Sequence, residues 1–301
     1  MLREVSSAPM SKIIDSPPSP PTPEESFFYH CIDLPGLGLM EGQWDLRDSV
    51  GVYLGDVDFA ERRVLEVGPA NGFLTFWMEK HGAEVVGLEL DSGRHWDLVP
   101  FADFDYSEYL AERDELQSRL QNAFWLAHRA VGSSAGLVHD SIYDVSETLG
   151  SFDVATFGMV LLHVRDPLQA MRSVLSRTRR TAIVTEIFPA EEMKAFGIDF
   201  PMRFEIQSAD GRVDLGDEVV ERIDRVPPAM YLQPRSETMA PKETWWRFTP
   251  SLIRQFLAVL GFDQQRVLYH YQPHDSRYQF HRPENSSRVF HPCFTVVAER
   301  H

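Results

Sequence analysis

Two carboxylates and two glycines lie at spacings that suit the binding of a polar, nucleoside-like ligand. Glu66 precedes a turn bracketed by Gly68 and Gly72, and Glu89 follows this turn about 20 residues later. Backbone N–H groups at the start of a helix bind polar or anionic groups, and a carboxylate at the end of the next strand suits ribose hydroxyls. Glu89 is the predicted ribose ligand, and Asp91 is its alternative.

These residues need a strand, a tight turn, a helix and a second strand to hold them. Val64 and Leu65 close an apolar run, and Phe73–Lys80 carries apolar residues at helical spacing. Glu84–Leu90 has the composition of a second buried strand. Parallel strands joined by a helix form a right-handed crossover, so the stretch is predicted to be a βαβ unit.

The turn departs from the dinucleotide-binding fingerprint, which needs three glycines. Ala70 occupies the middle position, and Pro69 has no backbone N–H to donate. Binding of a pyrophosphate is therefore disfavoured. A strand followed by two glycines, taken alone, is also explained by a purely structural turn.

Later motifs follow in an order that adds weight to this unit. They are the strand Leu137–Ile142, the F-D-hydrophobic strand 151–158, the run L-H-V-R-D-P at 162–167, and the strand 180–187 ending Thr-Glu-Ile. Together with E-x-G-x-x-x-G at 66–72, these motifs resemble the class I S-adenosylmethionine-dependent methyltransferases over about residues 60–190. The resemblance implies an α/β fold, with a Rossmann-like seven-stranded sheet flanked by helices and an antiparallel hairpin as its last two strands.

The resemblance also implies that the cofactor is S-adenosylmethionine. Glu66 and the turn Gly68–Gly72 would hold its methionine end, Glu89 its ribose, and Asp140 its adenine. The full predicted cofactor set is Glu66, Gly68, Pro69, Ala70, Asn71, Gly72, Glu89, Leu90, Asp140, Ser141, Ile142 and Phe157.

Four side chains are candidates for taking a proton from the acceptor, since a thiol, phenol, enol or protonated amine must lose one on methylation. His163 is the first choice, because it follows the fourth strand at the edge where open α/β sheets place ligands. Glu186, at the end of the fifth strand, is the second choice, and Tyr29 and His30 are the others. A structural role for His163 and a surface position for His30 stay open as alternatives.

Composition and motifs divide the chain into three regions. Residues 1–25, rich in Ser-Pro, are predicted to be a disordered tail that forms no helix or sheet ladder. Residues 26–60 are an aromatic extension that either covers the site as a lid or packs against the sheet edge. Residues 61–301 form the methyltransferase domain, in which the long segment 188–248 is predicted to be a substrate cap.

Candidate substrate contacts come from the extension and from the cap. Trp44 lies in the extension, and Trp245, Trp246 and Arg247 lie near the end of the cap. Tryptophan and arginine together suit a flat or anionic substrate, although Trp246 is also explained as a structural plug. In addition, Trp96-Asp97 is expected to wall the adenosine pocket.

Three helices outside the βαβ unit are predicted from periodicity and capping. They are an amphipathic helix at 107–130, a helix at 166–178 that starts with Asp-Pro, and a helix from Thr249-Pro250 to Gly261. Strands at 265–271 and 293–299 follow the last of these helices.

The bulk properties narrow the class of protein further. The chain has 301 residues, of which 43% are hydrophobic, so one large core is expected. No apolar run reaches the roughly 18 residues of a membrane span, and the N-terminus lacks a signal-peptide core, so a cytoplasmic protein is predicted. The net charge of −16 speaks against a nucleic-acid partner.

Metal binding and disulfides are also disfavoured. The two cysteines, Cys31 and Cys293, are too few for a disulfide framework, and the histidines near the C-terminus lack close ligand spacing. These histidines are His270, His274, His281 and His291. No motif fixes the oligomeric state, for which a homodimer is one option.

The sequence therefore predicts a methyltransferase that acts on a small metabolite or natural product by in-line displacement with general-base assistance. The runner-up is an RNA-modifying enzyme, because L-H-V-R-D-P and the tryptophans before the penultimate helix resemble the tRNA wobble-uridine carboxymethyltransferases. A non-catalytic protein that retains the fold is the third hypothesis. The intact Glu66, Glu89 and Asp140 argue against it.

Overall fold

The computed structural model describes residues 12–90, 97–201, 208–279 and 287–301, and a sheet of nine strands organises them. The strands of the chain are β1 (Lys12–Ile13), β2 (Ile32–Leu34), β3 (Gly38–Met40), β4 (Arg63–Val67), β5 (Glu84–Glu89), β6 (Gly136–His139), β7 (Phe152–Gly158), β8 (Thr178–Ile187), β9 (Arg212–Val213), β10 (Met230–Leu232), β11 (Trp246–Phe248), β12 (Gln264–Asp275) and β13 (Arg288–Glu299). The helices are α1 (Val50–Tyr53), α2 (Phe73–Lys80), α3 (Ser107–Val131), α4 (Pro167–Leu175), α5 (Ala190–Lys194), α6 (Asp217–Asp224) and α7 (Pro250–Val259).

The strand order of the large sheet is β1-β6-β5-β4-β7-β8-β13-β12-β9. The five strands from β6 to β8 are parallel, and β12 and β13 form the predicted antiparallel hairpin beside β8. The order of strands reverses between β4 and β7, which is the point where open α/β sheets bind ligands. The predicted Rossmann-like α/β fold is confirmed, and the seven expected strands gain two-residue neighbours at both edges.

The central strands are apolar on both faces because helices cover the sheet on both sides. Val64 and Leu65 of β4 are completely buried, as are Ala182 and Val184 of β8. Burial of this kind provides the largest stabilising contribution to the fold, at roughly 25 cal/mol per Å² of apolar surface.

The three predicted helices are present. The first is α3, which spans 25 residues and ends at Gly132, whose φ of 68° is the left-handed conformation that closes many helices. The second is α4, in which the Asp166 side chain accepts a hydrogen bond from the N–H of Gln169 while Pro167 opens the helix. At α7 the Thr249 side chain caps the N–H of Leu252 in the same way.

The expectation of a tail without sheet pairing is wrong for the part of it that the structure describes. Lys12 and Ile13 pair with His139 and Val138 at the edge of the sheet. An edge strand needs only free backbone groups on its neighbour, so a two-residue strand forms without the apolar alternation that would have predicted it.

The extension and the cap add small elements around the sheet. The extension contains the β2–β3 hairpin and α1, and segment 188–248 contains α5, β9, α6, β10 and β11. Cys31 and Cys293 are both free and buried. Among the helices in the described part of the chain, none has the length and hydrophobicity needed to cross a membrane.

Candidate functional site

A cavity of about 450 Å³ opens at the carboxyl ends of β4, β5, β6 and β7. Its position follows from the reversal of strand order, because the connections leaving β4 and β7 diverge there. The residues lining it are Tyr29, Val67, Gly68, Ala70, Leu88, Glu89, Leu90, Asp97, Gln117, Leu120, Asp140, Ser141, Ile142, Tyr143, Gly158, Met159, Val160, His163 and Val164. We call this space the cofactor cavity.

The turn between β4 and α2 forms one wall. Gly68 and Ala70 line the cofactor cavity, and both have positive φ angles, 70° and 51°. Gly72 has a φ of 82° and no room for a side chain, because a Cβ there would collide with the Phe76 ring. For Ala70 the left-handed conformation costs roughly 1–2 kcal/mol, so the turn holds a strained residue beside the cavity.

Pro69 and Asn71, both members of the predicted cofactor set, do not line the cofactor cavity. The Pro69 ring packs towards Gly87 of β5, where an added Cβ would meet it at 2.8 Å. The Asn71 side chain is completely buried and bonds His30 twice. Its Oδ1 accepts from the His30 N–H at 2.7 Å, and its Nδ2 donates to the His30 carbonyl at 3.1 Å. Asn71 thus fastens the extension to the turn.

Glu66 and Phe157 lie below the turn, where they line a small cavity together with Gly68, His30 and Tyr29. The Glu66 carboxylate accepts a hydrogen bond from Thr75 of α2. Burial raises the pKa of Glu66 to about 7, so this carboxyl group is partly protonated at neutral pH.

Glu89 stands at the end of β5 and lines the cofactor cavity. Its Oε1 accepts the N–H of Leu90 at 2.8 Å, and the amide of Gln117 on α3 is a second hydrogen-bond partner. Burial raises the pKa of the Glu89 carboxyl above its usual range. Asp91, the alternative ribose ligand, lies outside the described residues.

Asp140, Ser141 and Ile142 lie together on the wall that follows β6. Asp140 Oδ1 accepts the N–H of Ser141 at 2.7 Å, and Oδ2 accepts the N–H of Ser146 at 2.9 Å. These hydrogen bonds orient the Asp140 carboxylate on the wall of the cofactor cavity.

Trp245, a predicted substrate contact, does not line the second large cavity described below and instead supports the wall of the cofactor cavity. Its indole N–H donates to the carbonyl of Asp97, and the Asp97 carboxylate accepts from the Tyr143 hydroxyl. Asp97 and Tyr143 line the cofactor cavity, whereas Trp245 stands behind them. Trp96, expected here as well, lies outside the described residues.

A second cavity of about 450 Å³ lies next to the first, between the extension, α3 and the cap. We call it the acceptor cavity. Its lining consists of Phe27, Tyr29, Gln43, Trp44, Arg113, Leu116, Leu120, Met159, Leu162, His163, Glu186, Ile187, Gln233, Pro241, Glu243, Thr244, Trp246, Arg247, His274 and Gln279. Tyr29, Leu120, Met159 and His163 line both cavities and therefore mark their junction.

His163 is held at this junction by a short 3₁₀ turn, Leu161–His163, that follows β7. The His163 Nδ1 lies 2.5 Å from the carbonyl oxygen of Glu243. A carbonyl only accepts hydrogen bonds, so Nδ1 carries the proton and Nε2 has the lone pair of the neutral ring. Burial lowers the pKa of His163, which keeps the ring neutral and basic at physiological pH.

Glu186 is buried at the carboxyl end of β8 and lines the acceptor cavity. Its Oε1 accepts the N–H of Leu161 at 3.1 Å, and Leu162 supplies a second backbone hydrogen bond. Burial raises the pKa of Glu186 to about 8 despite these bonds. The group is therefore mostly protonated at neutral pH, and its contacts position the turn that carries His163.

Tyr29 and His30, the two candidates from the extension, occupy different places. Tyr29 lines both large cavities, and burial raises its pKa to about 12, so it is a hydroxyl donor at neutral pH. His30 faces the small cavity and lines neither large one. Its pKa is lowered to about 3 by burial, and its Nδ1 has no hydrogen-bond partner among the described residues.

Three of the four predicted substrate contacts line the acceptor cavity, namely Trp44, Trp246 and Arg247. The Trp44 ring packs on His274 and His291, with centroids 4.7 Å and 5.4 Å away. The Trp246 indole N–H donates to the carbonyl of Arg165 at 3.2 Å. Both tryptophans are thus fixed in orientation.

The sequence did not predict the ion pair between Arg113 and Glu243, two residues that line this cavity. Glu243 of the cap accepts from Arg113 at 3.0 Å and from the Tyr109 hydroxyl at 2.6 Å. Tyr109 and Arg113 are four residues apart on α3 and so share a face, which was the available signal. Their partner Glu243 lies 134 and 130 residues further along the chain, so it could not be found from spacing.

Within residues 12–90, 97–201, 208–279 and 287–301, no cluster of three or more His, Cys, Asp or Glu side chains could hold a metal ion.

Comparison with known proteins identifies a family. Residues 43–193, about half of the chain, match the sequence profile of a family described as a methyltransferase domain. A search of curated proteins found no match.

Several solved structures resemble this chain. The N-terminal domain of EvdMO1, crystallised in the presence of SAH and D-fucose, is 17% identical, with 90% of each chain covered and a TM-score of 0.48. The YcgJ protein from Bacillus subtilis is 10% identical over 84% of this chain and 97% of that one, with a TM-score of 0.49. Magnesium protoporphyrin IX methyltransferase from Synechocystis PCC 6803, with bound SAH, is 13% identical over 84% and 80%, with a TM-score of 0.43.

Proposed function

We propose that this chain, which belongs to the class I S-adenosylmethionine-dependent methyltransferases, transfers the methyl group to a small-molecule acceptor, a metabolite or natural product. The observation that carries this proposal is the meeting of two cavities at His163 and Tyr29. One cavity has the acidic residues at strand ends that suit a nucleoside, and the other is enclosed by aromatic side chains. A small, flat acceptor fits such a space better than a macromolecule does.

The residues of the cofactor cavity fit S-adenosylmethionine. Glu89 offers a half-buried carboxyl group at the end of β5 for two ribose hydroxyls, and Asp140 offers acceptor oxygens for an adenine amino group. On the other side of the turn, the orphaned Nδ1 of His30 and the carboxyl of Glu66 border one small cavity. These polar groups suit the amino-acid end of the cofactor.

The chemistry needs few groups from the protein. S-adenosylmethionine would supply, when bound, a methyl group on a cationic sulfur, and the acceptor nucleophile would take this group as the S–CH₃ bond breaks, leaving S-adenosylhomocysteine. The protein has to hold the acceptor in line, and such positioning contributes roughly 7–11 kcal/mol in favourable cases. Tyr29 and Met159 line both cavities at their junction, where the transfer would take place.

His163 is proposed as the general base. Its Nε2 lone pair can take the proton of an acceptor hydroxyl, thiol or amine, while Nδ1–H stays bound to Glu243 and holds the ring. Glu186, protonated at neutral pH, acts through the backbone of the turn rather than as a base. Tyr29 orients the acceptor as a hydroxyl donor.

The proposal is tested by incubating the protein with S-adenosylmethionine carrying an isotope-labelled methyl group. One reaction contains a mixture of small metabolites, and a parallel reaction contains bulk tRNA. Label recovered by mass spectrometry in a small molecule, and lost in the His163→Ala variant, is the expected result. Label in tRNA instead would establish the RNA-modifying alternative, and labelled product in neither would favour a non-catalytic role.

A further inference from the structure

Arg247 places an uncompensated positive charge on the wall of the acceptor cavity. Its side chain is half-buried, and within the described part of the chain it forms no ion pair. The other arginine on this wall, Arg113, is paired with Glu243 at 3.0 Å and is therefore neutralised. The two arginines of the cavity thus differ in what they leave available to a ligand.

The remaining titratable groups of the cavity do not offset this charge. His163 and His274 have pKa values lowered by burial, so both rings are neutral at pH 7. Burial raises the pKa of Glu186 to about 8, which leaves that carboxyl mostly protonated. The described residues that line the acceptor cavity consequently carry a net positive charge, in a protein whose formal net charge is −16.

A half-buried cation without a partner is poorly solvated, and an anion brought beside it restores the interaction lost with water. An arginine fork matches the two oxygens of a carboxylate, giving two parallel charge-assisted hydrogen bonds. Arg247 therefore favours a ligand with a carboxylate over a neutral ligand of the same shape.

The surroundings of Arg247 describe the rest of the ligand. Trp44 and Trp246 supply indole rings, Phe27 adds a phenyl ring, and Gln233 and Gln279 add amide groups. Flat aromatic walls favour a flat ring, since stacked or edge-to-face aromatic pairs gain about 0.5–1.5 kcal/mol beyond burial alone. A cavity of about 450 Å³ lies within the usual range for small-molecule sites.

We propose that the acceptor is a planar aromatic acid whose carboxylate pairs with Arg247, whose ring lies among Trp44, Trp246 and Phe27, and whose nucleophile reaches His163. This inference rests on the proposed function, since it names the class of acceptor for the same site. It separates the two ends of the cavity, with recognition of the anion at Arg247 and chemistry at the junction with the cofactor cavity.

Calorimetry with matched probes tests the inference. The protein is first saturated with S-adenosylhomocysteine, and then titrated with 4-hydroxycinnamate, 6-hydroxy-2-naphthoate and the carboxamide of each. At least one acid should bind tenfold or more tightly than its amide, a difference of about 1.4 kcal/mol. Arg247→Gln should abolish this preference, and Arg247→Lys should retain part of it.

Arg225→Gln is the matched control, because Arg225 is an exposed arginine at the end of α6, paired only with Glu221 within the described chain. It should leave the preference for the acid unchanged. Equal affinity of acids and amides in the wild-type protein, a preference that survives Arg247→Gln, or no binding of any acid would overturn the proposal.

The binding of S-adenosylhomocysteine distinguishes a failure of the proposed function from a failure of the proposed acceptor class. Arg247→Gln should bind it as the wild type does, because Arg247 does not line the cofactor cavity. Failure of the wild type to bind it would count against the proposed function itself. Normal binding of S-adenosylhomocysteine without any preference for acids would overturn the proposed class of acceptor and leave the proposed function standing.

Discussion

At the scale of single residues, the site depends on groups whose protonation is set by burial. His163, Glu186 and Tyr29 all border the acceptor cavity, and each has a pKa displaced towards its neutral form. A neutral histidine among neutral hydroxyl and carboxyl groups is the state that a general base needs before it accepts a proton.

Replacing His163 by Ala should reduce turnover by about 10²–10⁴-fold, since the base is removed. Affinity for S-adenosylhomocysteine, measured by calorimetry, should fall far less than turnover does, since His163 is only one of the residues that line the cofactor cavity. The wild-type rate should be flat at neutral pH and fall on acidification through the lowered pKa of His163, below about pH 6.5.

His81→Gln is the control for this variant, since His81 also contacts a backbone carbonyl, that of Trp77 at 2.7 Å, but lies at the exposed end of α2. Its turnover and pH profile should match wild type. Full activity of His163→Ala would remove His163 from the mechanism.

Glu186 leads to a prediction about stability. Its folded-state pKa of about 8 exceeds the ordinary value of 4.5, so the folded protein holds this proton more tightly than the unfolded chain does. The contribution of Glu186 to the stability of the folded protein is present below about pH 4.5 and is lost as the pH rises to about 8. Raising the pH from 5 to 8 should therefore lower the unfolding free energy of wild type relative to that of Glu186→Gln, as followed by urea denaturation. Parallel pH profiles would contradict it.

At the scale of elements, regular and long features were predictable, and short or distant ones were not. The 25 residues of α3 repeat their apolar pattern through Leu120, Phe124 and Ala127, so one helix was evident. The three-residue strands β10 and β11 carry no comparable pattern. They are joined by pairing across the cap, which sequence spacing does not reveal.

The two tryptophans of the cap show how far the positions of side chains can be predicted from the sequence. Trp245 and Trp246 are neighbours at the start of a strand, where successive side chains point to opposite faces. Only Trp246 lines the acceptor cavity, while Trp245 supports Asp97. The sequence identified the pair, but the choice between them depends on how the cap packs.

The link between the extension and the turn after β4 can be tested through Asn71. Asn71→Ala leaves the buried N–H and C=O of His30 without their partners, which should cost about 1–3 kcal/mol of stability. Hydrogen exchange at residues 26–31 should accelerate, as measured by mass spectrometry.

Asn122→Ala is the comparison for that change. Asn122 holds the residue just before this segment through one exposed bond, to the carbonyl of Glu25 at 3.0 Å. It should alter exchange at residues 26–31 little. Equal effects of the two variants would mean that Asn71 is not the main residue holding the extension against the turn after β4.

At the scale of the whole molecule, the residues of the cofactor cavity could largely be predicted from the sequence. Those of the acceptor cavity are brought together only by tertiary packing. Seven of the twelve predicted cofactor residues line the cofactor cavity, because the strand ends of a parallel sheet meet at one edge. They are Gly68, Ala70, Glu89, Leu90, Asp140, Ser141 and Ile142. The acceptor cavity instead joins the extension, α3, β8 and the cap, whose meeting is set by tertiary packing.

The central claim is that the cavity at the end of β5 binds the cofactor through Glu89. Calorimetry with S-adenosylhomocysteine on wild type, Glu89→Ala and Glu84→Ala tests it most directly, since Glu84 lies at the opposite, exposed end of the same strand. The account predicts that Glu89→Ala binds at least tenfold more weakly, by about 1.4 kcal/mol, while Glu84→Ala binds as wild type does. Unchanged affinity in Glu89→Ala would contradict the assignment, and no binding by wild type would contradict the account as a whole.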